Sequence, residues 1–141
     1  MPKLQNDKHL ARFDYDFALQ GGAVGVIDLV PNIVALAAGM VISDIYVYVE
    51  SALTSGGSAT VTLGNADPDG FLVNIFALAG SANAVIRSGQ VAGALVYDDT
   101  NDTQLLYRVG ADTDLALTIG TAALTAGKLQ VYVEFFAPAA A

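Results

Sequence analysis

The sequence has no cysteine, no tryptophan and one histidine in 141 residues, and it is sparing with charge. Each shortage removes a class of chemistry. Without cysteine there is no disulfide scaffold, thiolate zinc site, iron–sulfur cluster or thiol nucleophile. His9 alone cannot build a multi-histidine metal site or an internally paired histidine relay. Charged residues make up 14% of the chain and hydrophobic ones 54%, the reverse of the composition that keeps a chain disordered. A domain of this length buries about 70% of the surface its unfolded form exposes and needs no covalent staple.

Basic residues are scarcest, six against fourteen acidic ones, for a net charge of −8. They are also unevenly placed. Residues 1–12 carry Lys3, Lys8 and Arg12 against Asp7, a balance of +2, while residues 13–141 balance at −10. An acidic body repels phosphates, so no nucleic-acid partner is expected. Residues 1–12 read as a basic N-terminal arm, with Lys3, Lys8 and Arg12 as its contacts to a partner; a solvated, frayed terminus is the alternative. Long hydrophobic runs are absent too. The most apolar stretch is broken by Asp28, Pro31 and Asn32, and its uninterrupted part, Ile33–Ile42, is ten residues, half of the roughly 20 that span a bilayer. The charged N-terminus has no apolar run of the secretory kind. No membrane partner is expected, and the apolar excess points to burial between subunits.

What the sequence does contain is period-two alternation punctuated by turn residues. Phe13, Tyr15 and Phe17 alternate with Asp14 and Asp16, and Val24–Val30 reads as a second strand. In Val41–Glu50, the side chains of Ile45, Val47 and Val49 face one way and those of Asp44, Tyr46, Tyr48 and Glu50 the other. Ser55-Gly56-Gly57-Ser58 reads as a hairpin connection to a returning strand, Ala59–Leu63. Phe71–Leu78 fits a strand or a short helix. Leu95–Tyr97, Leu105–Val109 and Leu115–Ile119 follow, and Leu129, Val131, Val133 and Phe135 alternate with Gln130, Tyr132 and Glu134. Eight or nine strands without a clear helix predict an all-β fold, an antiparallel sandwich or barrel over residues 13–141. Tyr46 and Tyr48, amphipathic and opposite the core side, are the candidate subunit interface; ordinary surface tyrosines or a second packed sheet are the alternatives.

Three acidic groups are candidate calcium ligands: Asp67 with Asp69, Asp98-Asp99 with Asp102, and Asp112 with Asp114. Calcium takes six to eight oxygens, so two carboxylates are too few, and the twelfth position counted from Asp67 is Leu78 rather than an acid. Turn chemistry explains all three. Paired carboxylates such as Asp98 and Asp102 also suggest glycoside cleavage, but no tryptophan platform accompanies them. No glycine-rich phosphate loop with a following lysine occurs. No catalytic, cofactor or metal site is expected.

The phrases Ala38-Gly39-Met40-Val41-Ile42-Ser43-Asp44-Ile45-Tyr46-Val47-Tyr48-Val49-Glu50, Ser58-Ala59-Thr60-Val61-Thr62-Leu63-Gly64 and Thr125-Ala126-Gly127-Lys128-Leu129-Gln130-Val131-Tyr132-Val133 together resemble small structural proteins of tailed bacteriophages, the capsid decoration or cement proteins and related head-fibre modules. The resemblance covers about a third of the chain. It implies a jelly-roll-like β-sandwich that forms homotrimers, binds the major capsid protein on the exterior of the icosahedral head and stabilises the shell, without catalytic residues. A receptor- or sugar-binding module on a head fibre or tail is the second reading.

Overall fold

Alternation over Val41–Glu50 and Leu129–Phe135 produces the two longest strands of the protein. A computed structural model describes residues 9–32, 36–65, 70–73, 75–87, 97–98, 103–104, 107–110 and 115–136, with backbone alone at 97–98 and 103–104. In chain order the elements are β1 (His9–Asp16), α1 (Phe17–Gln20), β2 (Gly25–Asp28), β3 (Val30–Pro31), β4 (Val41–Ser55), β5 (Thr60–Gly64), α2 (Ile75–Leu78), β6 (Val85–Arg87), β7 (Tyr97–Asp98), β8 (Thr103–Gln104), β9 (Tyr107–Arg108), β10 (Ala116–Gly120) and β11 (Leu124–Phe136). The fold is all-β, and every strand pairing among the described residues is antiparallel.

The larger sheet runs β3-β1-β11-β4-β6, with β9 also on β4; the smaller runs β2-β10-β5, and β7 and β8 form a ribbon. Period two decides what each strand buries. The large sheet turns Ala11, Phe13, Tyr15, Ile45, Val47, Val49, Leu129, Val131 and Val133 inward, and the small sheet turns Val61, Leu63, Leu117 and Ile119 inward. These residues belong to one continuous core, the arrangement of a β-sandwich. At the end of β1 the chain leaves the sheet through α1, whose first turn is capped by the Asp16 carboxylate accepting from the Ala18 N–H at 3.0 Å. The buried Tyr15 hydroxyl donates to the Gly21 carbonyl at 2.6 Å, so burying this phenol leaves no unmet donor.

Several expectations need correcting. The sheet already includes the four residues before Phe13: His9–Arg12 pair with Phe135–Tyr132, so Arg12 belongs to a strand and not to an arm. Phe17 starts the helical turn instead of ending the strand. Val24–Val30 is split between the two sheets as β2 and β3. The Ser55–Ser58 turn does not make a hairpin, because β4 pairs with β11 while β5 crosses to the other sheet and pairs with β10. Its residues specify that the chain turns, not which strand receives it. In Phe71–Leu78, Leu72 bridges to Leu63 and Ile75–Leu78 is helical.

Gly127 lies within β11 inside the register shift between Ala126 and Lys128 and has φ +141. A Cβ there would strike the Leu53 side chain and sit 3.1 Å from its Cα. Gly127→Ala is expected to destabilise the fold by about 2 kcal/mol, combining a strained φ with overpacking. Gly56→Ala, which meets nothing within 4 Å, is the control. Urea titration of both variants checks this, and equal midpoints would remove Gly127 from the features that hold the register.

Candidate functional site

With the apolar positions turned inward, the same alternation delivers a chemically rich outer face on the large sheet. Pairing registers align it in rows across four strands. One row is Arg12, Tyr132, Tyr46 and Arg87; the next is Asp14, Gln130, Tyr48 and Val85. On one side lie Leu10, Glu134 and Asp44, and on the other Asp16 and Lys128 with Glu50 beside them. The centre is therefore three half-buried tyrosines and a glutamine, and the rim is charged.

The charges are held in place. Arg12 Nε donates to Asp14 Oδ1 at 2.9 Å. Arg87 Nη2 donates to Asp44 Oδ2 at 3.0 Å, and its guanidinium carbon lies 5.2 Å from the Tyr46 ring centroid, a cation–π contact. Lys128 Nζ is 3.0 Å from Glu50 Oε2 and 4.0 Å from Asp16 Oδ2, tying three strands together. Gln130 Nε2 donates to Glu50 and its Oε1 accepts from the Tyr132 hydroxyl, while the Tyr48 hydroxyl donates to Asn83 Oδ1 at 2.7 Å. These partners shift the ionisations. The hydrogen bonds from Lys128 and then Gln130 hold the Glu50 carboxyl below its ordinary range, and Glu50 in turn raises Lys128. Asp14 raises Arg12 and Asp44 raises Arg87 through charged hydrogen bonds. Partial burial, followed by the hydrogen bond with Asp44, pushes the Tyr46 phenol up.

Three of the residues singled out from sequence meet here. Arg12 and Tyr46 stand in one row and Tyr48 in the next. Lys3 and Lys8 lie outside the described residues, as do Asp67, Asp69, Asp99, Asp102, Asp112 and Asp114; of Asp98 only the backbone is described. Tyr132, Arg87 and the Lys128–Glu50–Gln130 network are site residues that sequence reasoning misses. Tyr132, Gln130 and Glu50 carry a signal, their outward places in the two alternating strands, whereas Arg87 and Lys128 carry none. His9 packs its ring 5.6 Å from that of Phe135.

The charged groups of the face are engaged within the sheet. Its acids are engaged by cations, by Gln130 or, for Glu134, by the Ser43 hydroxyl at 2.8 Å. A cleft of 320 Å³ between β5 and α2, lined by Val61, Val73, Phe76 and Ala77 among others, presents no titratable group. Among the described residues no group of three or more His, Asp or Glu gathers as a metal cluster does, and no helix is long and apolar enough to cross a membrane.

No protein-family model matches the sequence, and no curated protein matches it. Solved structures do. A chain of the cyanophage Pam1 capsid asymmetric unit superposes with a TM-score of 0.62 at 16% identity, covering 94% of this chain and 86% of that one. A chain of the acidic stable capsid structure of Helicobacter pylori bacteriophage KHP30 gives a TM-score of 0.51 at 18% identity, covering 94% and 89%. At these identities the likeness is one of fold, and it extends over nearly the whole length of each chain.

Two adjacent substitutions separate the faces of β4. Val47 is fully buried and Tyr48 half-buried on the outside. Val47→Asp places an unpaired carboxylate in the core and is expected to abolish cooperative folding, whereas Tyr48→Asp keeps a thermal transition near that of the parent. Similar melting curves for the two would contradict the register of β4.

The Lys128–Glu50 pair also predicts a pH response. Glu50 is depressed below its ordinary 4.5, so its contribution is present above that value and lost as pH falls through the folded pKa. Lys128 is raised above 10.5, so its contribution is present below that value and lost as pH rises through the folded pKa. Both are half-buried at the edge of the face and solvent-screened, so the effect is small. Glu50→Gln is expected to flatten the acid side of the melting temperature against pH, and an unchanged acid slope would contradict the pairing.

Proposed function

We propose that this chain is a structural protein of a bacteriophage virion, a decoration or cement protein that binds the exterior of the head and reinforces the shell. The observation that carries the reading is the end-to-end likeness of fold to chains of two phage capsid structures. The chemistry of the chain supports it: the described surface offers a broad aromatic and charged sheet face, and the cleft between β5 and α2 presents no titratable group. On this reading the work is mechanical rather than enzymatic. A protein that bridges neighbouring capsid subunits must be released before they separate, so each bridge adds its interface free energy to the cohesion of the shell.

Two finer elements belong to the same proposal. Lys3 and Lys8 meet acidic groups of the major capsid protein, with Arg12 on the outer face of β1 beyond them. Copies of the chain associate, as homotrimers on the shell, and Tyr46 and Tyr48 lie in contacts between copies. The decisive experiment is to purify particles, identify this chain among their proteins, and locate it by electron microscopy; its absence from particles overturns the reading. The basic segment has its own test. Because His9 is already part of β1, a truncation stops at residue 8. Removing residues 1–8, or the double substitution Lys3→Ala and Lys8→Ala, is expected to weaken attachment about tenfold at low salt and little at high salt, since rim charges act through screened, long-range attraction. Salt-independent attachment of the truncated protein equal to that of the full chain would refute this role.

A further inference from the structure

The outer face of the large sheet has a symmetry that its pairing registers expose. Along β11 the outward residues run Lys128, Gln130, Tyr132, Glu134; along β4 they run Asp44, Tyr46, Tyr48, Glu50; along β1, Arg12 is followed by Asp14. Turn a second copy face to face with the first about a twofold axis lying across the strands, between the row of Tyr46 and the row of Tyr48. The two central rows then face each other across the copies, and so do the two outer rows. Lys128 faces Glu134, Arg12 faces Asp14, Tyr132 faces Gln130 and Tyr46 faces Tyr48, each pairing occurring twice. Asp44 faces Glu50, and each brings its own cation, Arg87 at 3.0 Å and Lys128 at 3.0 Å. An axis along the strands instead sets Arg12 against Arg87, like against like. That second arrangement also sets Glu134 against Asp44, so it holds two like-charged pairings where the first holds one.

We propose that this face is an isologous contact between two copies of the chain, centred on Tyr46, Tyr48, Gln130 and Tyr132 and registered by Lys128 against Glu134. Its anatomy is that of a protein interface, with aromatic side chains at the middle and charges at the rim. Strand directions stay aligned across the contact, as in face-to-face sheet packing. Strand spacing and rise give about 400 Å² of sheet per copy, about 800 Å² in total, below the size of a stable dimer. A net charge of −8 on each copy opposes the approach further. The contact is accordingly weak in dilute solution and forms where copies are already held together. It rests on the reading that Tyr46 and Tyr48 lie between copies and assigns that contact a twofold geometry. Threefold closure brings two different patches together, so in an assembly of trimers this face joins one trimer to the next.

The test uses the full chain in sedimentation equilibrium at high concentration. Lys128→Glu sets a carboxylate against Glu134, and Glu134→Lys sets an ammonium group against Lys128, so each variant alone is expected to self-associate about tenfold more weakly. Mixed one to one, they form heterodimers in which both contacts are opposite in charge. In one contact the two substituted side chains face each other, and in the other the unchanged Glu134 of the first variant faces the unchanged Lys128 of the second. The mixture is expected to recover to within about threefold of the parent. Changes within one chain, such as loss of the Lys128–Glu50 pair, cannot produce recovery on mixing. If either variant does not fold, Arg12→Glu and Asp14→Arg provide the same exchange on β1. A parent that stays monomeric throughout, variants that associate as the parent does, or weakened variants that do not recover when mixed each overturn the proposal. Failure of the virion reading shows separately, as absence of the chain from particles while pairing in solution persists.

Discussion

The antiparallel pairing of β4 with β11 aligns eleven residue pairs across strands of 15 and 13 residues, and the remainder of the large sheet is hung on it. β1 joins the free side of β11, while β6 and β9 join the free side of β4. Register in this pair is enforced by hydrophobicity. Ile45, Val47, Val49, Leu129, Val131 and Val133 are all fully buried, and a slip of one residue turns outward all three of whichever strand slips. At about 1.5–3 kcal/mol for each buried aliphatic side chain, that slip outweighs any rearrangement among exposed charges, which contribute at most about 1 kcal/mol per pair. The core therefore selects the register, and the tyrosine face takes its layout as a consequence.

Irregularities in the same pair matter as much as its regular stretch. Register shifts fall near Ala126, Lys128 and Glu134. β-Bulges bend a strand and re-aim its side chains. Inside the shift between Ala126 and Lys128, Gly127 packs directly against Leu53, where no Cβ fits. Just beyond it, Lys128 reaches Glu50 across to β4 and Asp16 across to β1. On the β1 side Lys128 stands directly opposite Asp16 in regular register; on the β4 side the shifted register sets it opposite Ser51, and its side chain reaches the neighbouring Glu50.

How far these features can be read from sequence follows from their range. Alternation is local, so the buried and exposed faces of Val41–Glu50 and Leu129–Phe135 are legible, and with them Tyr46, Tyr48 and the all-β class. Partner choice is not local. Nothing in Ser55–Ser58 distinguishes a hairpin from a crossing between sheets, and β11 finds β4 across some seventy intervening positions. For that reason Tyr132 and Arg87, which complete the row of Tyr46, are invisible as site residues until the registers are known. Arg12 is misread for a different reason. His9-Leu10-Ala11-Arg12 has the composition of a charged terminal segment, yet Ala11 is buried and Leu10 and Arg12 face outward: the alternation is present but too short to outweigh composition.

A face whose charges are already satisfied enters an assembly on different terms from one with naked charges. Arg12, Arg87 and Lys128 each have a carboxylate of their own sheet within 3.0 Å. Covering such a face does not bury unpaired charges, the costliest event in association. It also leaves little electrostatic energy to gain, because an incoming opposite charge competes with a partner already in place. Discrimination then rests on shape and on the penalty for wrong registers, in which like charges meet without an intervening counter-ion. A contact of this kind is permissive in strength and strict in geometry. That combination suits a component whose individual contacts are weak and whose position is set by many repeats of the same contact.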